Sequence, residues 1–250
     1  ASVGPDGAIW IADFSQFIIL HNLPGNPERG LPKIEYGAGS AHLNPMRDYT
    51  HGRIWRLVSQ REEPFQAPFG QSASVEKLIA NIGHPNQFWR TAARRILATK
   101  RLSEVTVPLL ARIKGGNPLA VTESLRTFTA LGGIPEPLQE EVFTAVLQSS
   151  HPEVLLAGLK ALPKSSVGAD LLLDSRLLEH HLPQVRRHAL LAASRMSAST
   201  ALGVTLVSRA VVEPTEDEWI SVALQAAVAS HSQSFLQAAV PLQNKVVAGE

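Results

Sequence analysis

Six polar side chains near the start of the chain are of the types that hold anions and move protons: His21, Asn22, Arg47, Asp48, His51 and Arg53. They flank a long segment, roughly 22–50, that is rich in Gly, Pro and Asn. Arg and His can grip a carboxylate or polarise a hydroxyl, and a His–Asp pair can serve as a general base. The same groups can also satisfy the backbone of a packed loop, because buried N–H and C=O groups need partners. Loops of this length in compact domains either carry function or lie against another element. The residues alone leave both readings open.

The other clusters read as structural. His180-His181 invites a metal, but adjacent residues on a helix point about 100° apart and do not chelate one ion together. His84 and His151 each precede a proline and read as equivalent turn residues. Glu213, Glu216, Asp217 and Glu218 stand where a helix begins, and acids there complement the helix dipole. Segment 86–101 carries Arg90, Arg94, Arg95, Lys100 and Arg101 without an acid. Helical repeats that bind nucleic acid can look like this. A net charge of only +1 over 250 residues places a protein partner ahead of nucleic acid. The absence of cysteine excludes disulfides, thiolate metal sites, a Cys nucleophile and covalently attached c-type haem in this sequence. Phosphate-loop, serine-hydrolase and zinc-protease motifs are absent, so no metal or cofactor site is expected within these residues. No apolar run approaches the roughly 20 residues that span a bilayer.

The elements that would position these groups fall into three stretches, 1–58, 59–73 and 74–250. In the first, Gly4-Pro5-Asp6-Gly7 signals a turn, and 8–14 and 52–58 have strand patterns. Two or three strands do not make an independent sheet. The segment is therefore expected to need partners, either further strands of the same protein or another chain. The second stretch has two prolines, a glycine and no periodicity, and reads as a linker. The third repeats. Prolines at 85, 118, 152, 183 and 214 are spaced by 33, 34, 31 and 31 residues, each followed by an apolar stripe of helical period. A second apolar stretch follows each stripe, at 105–113, 138–147, 169–178, 202–212 and 233–242. Two helices per repeat of this length is a helical-hairpin solenoid, opened by a half-repeat that Ser74 would cap. The predicted fold is mainly α: a HEAT-like α-α superhelix of about five hairpins, preceded by a small β segment.

The first segment also carries a resemblance. Val3-Gly4-Pro5-Asp6-Gly7-Ala8-Ile9-Trp10-Ile11-Ala12-Asp13-Phe14, then Ile18-Ile19-Leu20-His21-Asn22, then Arg47-Asp48-Tyr49-Thr50-His51-Gly52-Arg53-Ile54-Trp55-Arg56 occur in that order. This resembles the end of the β-propeller in the membrane-bound dehydrogenase propeller proteins of planctomycetes and verrucomicrobia. Those are similar to sorbosone and soluble glucose dehydrogenases, and their propeller is followed by HEAT-like repeats. The resemblance implies a terminal blade remnant at 1–58, with the other blades outside this sequence. It implies an exported parent, periplasmic or extracellular, using pyrroloquinoline quinone and calcium, with c-type haem in a separate domain. It makes His21, Asn22, Arg47, Asp48, His51 and Arg53 candidate rim residues for binding. On this reading the redox centre lies mostly outside the sequence, which is not catalytic alone, and the repeats serve a protein partner.

Overall fold

The computed structural model describes residues 1–13, 51–59, 65–70, 72–212 and 217–248. The chain forms two compact units, Ala1–Ala67 and Pro68–Glu250.

In the first unit, β1 (Ser2–Val3), β2 (Ile9–Asp13) and β3 (Arg53–Leu57) form an antiparallel sheet in that order. The Gly4–Gly7 turn closes the β1–β2 hairpin, with Gly4 N–H donating to Ala8 O and Gly7 N–H to Gly4 O. Gly7 takes φ 82°, a left-handed conformation that glycine adopts without strain. Gly4 lies under the Trp10 indole, where a Cβ would stand 2.2 Å from Nε1. The β2–β3 register pairs Ile9 with Leu57, Ile11 with Trp55 and Asp13 with Arg53 on one face. Trp10 with Arg56 and Ala12 with Ile54 occupy the other. Apolar side chains are exposed on both faces, including Ile9, Trp55 and Leu57 on the first and Trp10 and Ile54 on the second.

The second unit is helical. Among its described residues are α1 (Val75–Asn81), α2 (Gln87–Leu97), α3 (Leu102–Lys114), α4 (Pro118–Ala130), α5 (Glu136–Leu147) and α6 (Pro152–Ala161). These are followed by α7 (Ser166–Ser175), a 3-10 turn (Leu177–Glu179), α8 (Pro183–Ala193), α9 (Thr200–Val212), α10 (Glu218–Ser230) and α11 (Ser232–Ala248). The even helices α2, α4, α6, α8 and α10 pack in succession as one layer. Contacts of α1 with α3, α5 with α7 and α9 with α11 build the other. This is the expected half-repeat followed by five hairpins.

Local chemistry explains where the helices start. Ser74 Oγ accepts from Lys77 N–H, Asn86 Oδ1 from Phe88 N–H and Asn117 Oδ1 from Ala120 N–H. These caps satisfy amide groups that have no partner inside the helix. Pro118, Pro152 and Pro183 open their helices, where a missing N–H costs nothing. Pro85 departs from the expected pattern: it stands ahead of the N-cap Asn86 rather than in the first turn. Pro214 lies outside the described residues.

One core runs through the stack, from Phe69 to Ala227. Phe128 and Phe143 are the largest fully buried side chains. Phe128→Ala should lower stability by about 3–5 kcal/mol in urea unfolding, the cost of removing a fully buried ring from a packed core. Leu119→Ala, on the same helix but exposed, should cost less than about 1 kcal/mol.

Candidate functional site

In the first unit, His21, Asn22, Arg47 and Asp48 lie outside the described residues. His51 is exposed ahead of β3. Arg53 opens β3 opposite Asp13, with its guanidinium 5.9 Å from the Trp55 ring centroid, within cation–π range. Trp55 Nε1–H donates to Asp13 Oδ2 at 2.9 Å.

A second cluster centres on Asp6, which was not among the predicted site residues. Its Oδ1 accepts from Ala8 N–H and Trp10 Nε1–H, both at 3.1 Å, and its Oδ2 pairs with Arg56 Nε at 2.5 Å. One carboxylate in the β1–β2 turn thus fixes β2 and β3 at once. The indole hydrogen bond, joined by Arg56 and the Ala8 amide, holds Asp6 at about 2, below its ordinary 3.8. The sequence signal was the Pro-Asp-Gly turn beside Trp10; the partner fifty residues away carried none.

In the second unit the loops between repeats share a repeated device. Arg90 Nη1 donates to His84 O and Pro85 O, both at 2.7 Å. Arg186 Nη1 donates to His180 O at 2.9 Å and His181 O at 3.2 Å. His84 Nδ1 accepts from Asn86 N–H, and His180 Nδ1 from Leu182 N–H. His84 therefore corresponds to His180, not to His151, which is itself the cap residue of α6. His180 and His181 lie in the loop after the 3-10 turn, not on a helix, with rings 4.3 Å apart. Burial, then the charges of His181 and Arg186, lower the His180 pKa, consistent with a neutral ring accepting at Nδ1. Asp217 caps α10 through Trp219 N–H and Ile220 N–H, as expected of an acid at a helix start; Glu213 and Glu216 lie outside the described residues.

The basic helix is partly neutralised. Arg94 Nε stands 2.8 Å from Glu123 Oε2, while Arg126 Nη1 donates to Glu123 Oε1 at 2.7 Å. The Arg94 contact is an ion pair without an aligned hydrogen bond. Glu123 is a buried carboxylate, 4% exposed, in the middle of α4. Beside this pair lies a groove of about 390 Å³ between α2, α4 and α6. Arg94, Arg126, Lys160 and Glu153 line it, with Leu156 and Ala157 as apolar surface. Beyond Lys160, the α8 segment brings Arg187, His188 and Arg195 into the same neighbourhood. Arg195 Nη2 donates to Leu159 O at 3.0 Å. Burial pushes the His188 pKa down, and the charges of Lys160, Arg187 and Arg195 add to this, against a hydrogen bond to Gln184 O. Among the described residues no three His, Asp or Glu side chains converge as a metal site, and no helix is long and apolar enough to cross a membrane.

Fold and sites together define a mainly helical repeat protein with a small antiparallel sheet at its start. Residues 1–61 match the family model described as a domain of unknown function, DUF7133. No curated protein and no solved structure matches the chain.

The Asp6 cluster gives a pH signature. A carboxyl depressed in the folded state contributes stability in full above its unfolded value, about 4, and loses it as pH falls through the folded value. Carbonyl-detected NMR should therefore show Asp6 titrating at about 2, with Trp10 indole and β3 amide shifts moving over the same range. Titration of Asp6 near 4 would mean that Arg56 and Trp10 do not hold it.

Proposed function

We propose that the chain is the scaffold and protein-interaction region of a larger, exported quinoprotein-like sugar or alcohol dehydrogenase. The observation that carries this reading is the state of the sheet. Three strands expose Ile9, Trp55 and Leu57 on one face and Trp10 and Ile54 on the other. A sheet that exposes apolar side chains on both faces is suited to burial between neighbours. The residues of this sheet are those that carry the propeller resemblance, and neighbouring blades would cover such faces. In this reading the rim at His21, Asn22, Arg47, Asp48, His51 and Arg53 faces the propeller's ligand, and the HEAT-like repeats hold the propeller against a redox partner or another subunit. Periplasmic or extracellular placement follows from the same resemblance.

Pyrroloquinoline quinone and calcium would belong to the parent propeller. The described residues do not build a calcium site: Asp6 and Asp13 are already committed to Trp10, Arg56 and Trp55. A second reading, a non-catalytic HEAT-repeat interaction module, draws on the charged groove between α2, α4 and α6 and needs no cofactor.

One assay separates the two. The chain is produced with the preceding propeller sequence of its parent, supplied with pyrroloquinoline quinone and calcium, and tested for dye reduction with sugars and alcohols. The dehydrogenase reading predicts stoichiometric quinone uptake and substrate-dependent reduction. A folded propeller that takes up no quinone would remove it and leave the interaction module.

A further inference from the structure

The geometry points to a docking site on the even-helix layer for an acidic, extended segment of a partner protein, with one apolar side chain seated between α4 and α6. This names the partner class for the interaction-region reading above and rests on that part of it.

The charge distribution comes first. The chain as a whole is at +1, but this layer gathers Arg94, Arg126, Lys160, Arg187 and Arg195 from four successive even helices and the segment after α8. The acids beside them are few. Glu123 is buried and already shared by Arg94 and Arg126, leaving Glu153 as the acid lining the groove. Arg126 keeps half of its side chain exposed, and Lys160 and Arg195 are also exposed, so their charges are available to a ligand. The buried Glu123 presets the two arginines rather than cancelling the patch. It holds Arg94 and Arg126 on either side of one carboxylate, and such preorganisation reduces the ordering cost of binding.

Shape and lining then select among anionic partners. Leu156 and Ala157 give the groove apolar surface, and about 390 Å³ accommodates a side chain. Single-stranded nucleic acid is held by aromatic platforms alternating with cations. No aromatic residue lines this groove. Four helices at interaxial spacings of 8–10 Å span roughly 27 Å, which an extended peptide covers in about eight residues. The matching ligand is therefore a short run of Asp and Glu with a Leu-sized residue within it.

The test uses the whole chain and a fluorescent peptide of about eight residues, Glu-rich with one central Leu. Fluorescence anisotropy at low salt should show saturable binding that weakens steeply as salt rises. Replacing the Leu by Gly should weaken it several-fold. Lys160→Glu combined with Arg187→Glu should weaken it at least about tenfold, with circular dichroism confirming the helical fold. If that double variant does not fold, Lys160→Gln alone should still weaken binding measurably, because Lys160 is an exposed surface residue. No peptide binding at low salt would overturn the proposal. So would tighter binding of an oligothymidylate of equal length, which would assign the strip to nucleic acid. Salt-sensitive self-association abolished by the same variants would also overturn it, by making the occupant a second copy. The quinone-uptake assay is independent: peptide failure with quinone uptake leaves the dehydrogenase reading intact, and the reverse leaves this one.

Discussion

A helical hairpin leaves two things unfinished: an apolar face without cover and a loop whose carbonyl and amide groups lack partners. From α6 onward, the loop groups are completed by the neighbouring repeat. Arg195 reaches back to Leu159 O, Ser197 donates to Lys164 O, and Ser230 and Ser234 donate to Ser194 O and Ser199 O. His231, 1% exposed, joins the end of α8 to the following loop. Its Nδ1 accepts from Ser199 N–H, and its Nε2–H donates to Ala193 O. These bonds join residues 32 to 38 positions apart, about one repeat. They fix the register of the stack where apolar contact, which is non-directional, would allow sliding. The Arg195 bond to Leu159 O ties the α6 and α8 parts of the cationic strip to each other.

The sheet unit obeys a different constraint. Among the described residues it has three short strands whose larger apolar side chains are mostly exposed, and polar contacts tie them together. Asp6 joins the first turn to β2 and β3, and Asp13 anchors Trp55 on the opposite face. Asp6 engages three neighbours with its two oxygens. The unit's apolar surface remains for something else to cover, and the proposed function rests on this.

Much of the helical part was legible from the sequence because its determinants are local. Pro118, Pro152 and Pro183 mark first turns, Asn117 and Ser74 cap, and the apolar stripes have helical period. The α1 half-repeat and the five hairpins follow from those features. The misreadings were of relationships between positions. Pro85 sits ahead of its cap, which shifts the alignment of that repeat and makes His84 the counterpart of His180. The adjacent pair His180-His181 reads as helical until the 3-10 turn before it is seen. The Asp6–Arg56 pair was hidden by separation, and Glu123 by its company: a lone acid among Val121, Leu125 and Phe128 gives no sign that arginines from two helices meet it. Of the rim residues, Arg53 finds a defined setting against Asp13 and Trp55.

Amide hydrogen exchange on the whole chain, wild type against His231→Ala, tests most directly the claim that loop polar groups lock the repeats together. Removing the imidazole leaves Ser199 N–H without its acceptor, at about 1–3 kcal/mol for a buried group left unpaired, and takes one of two donors from Ala193 O, which keeps Met196 N–H. The account predicts faster exchange at Ser199 and through α8, α9 and α10, with α2 to α5 unchanged, because each repeat contacts mainly its neighbours. Loss of protection confined to α10 and α11, or spread evenly along the chain, would contradict it.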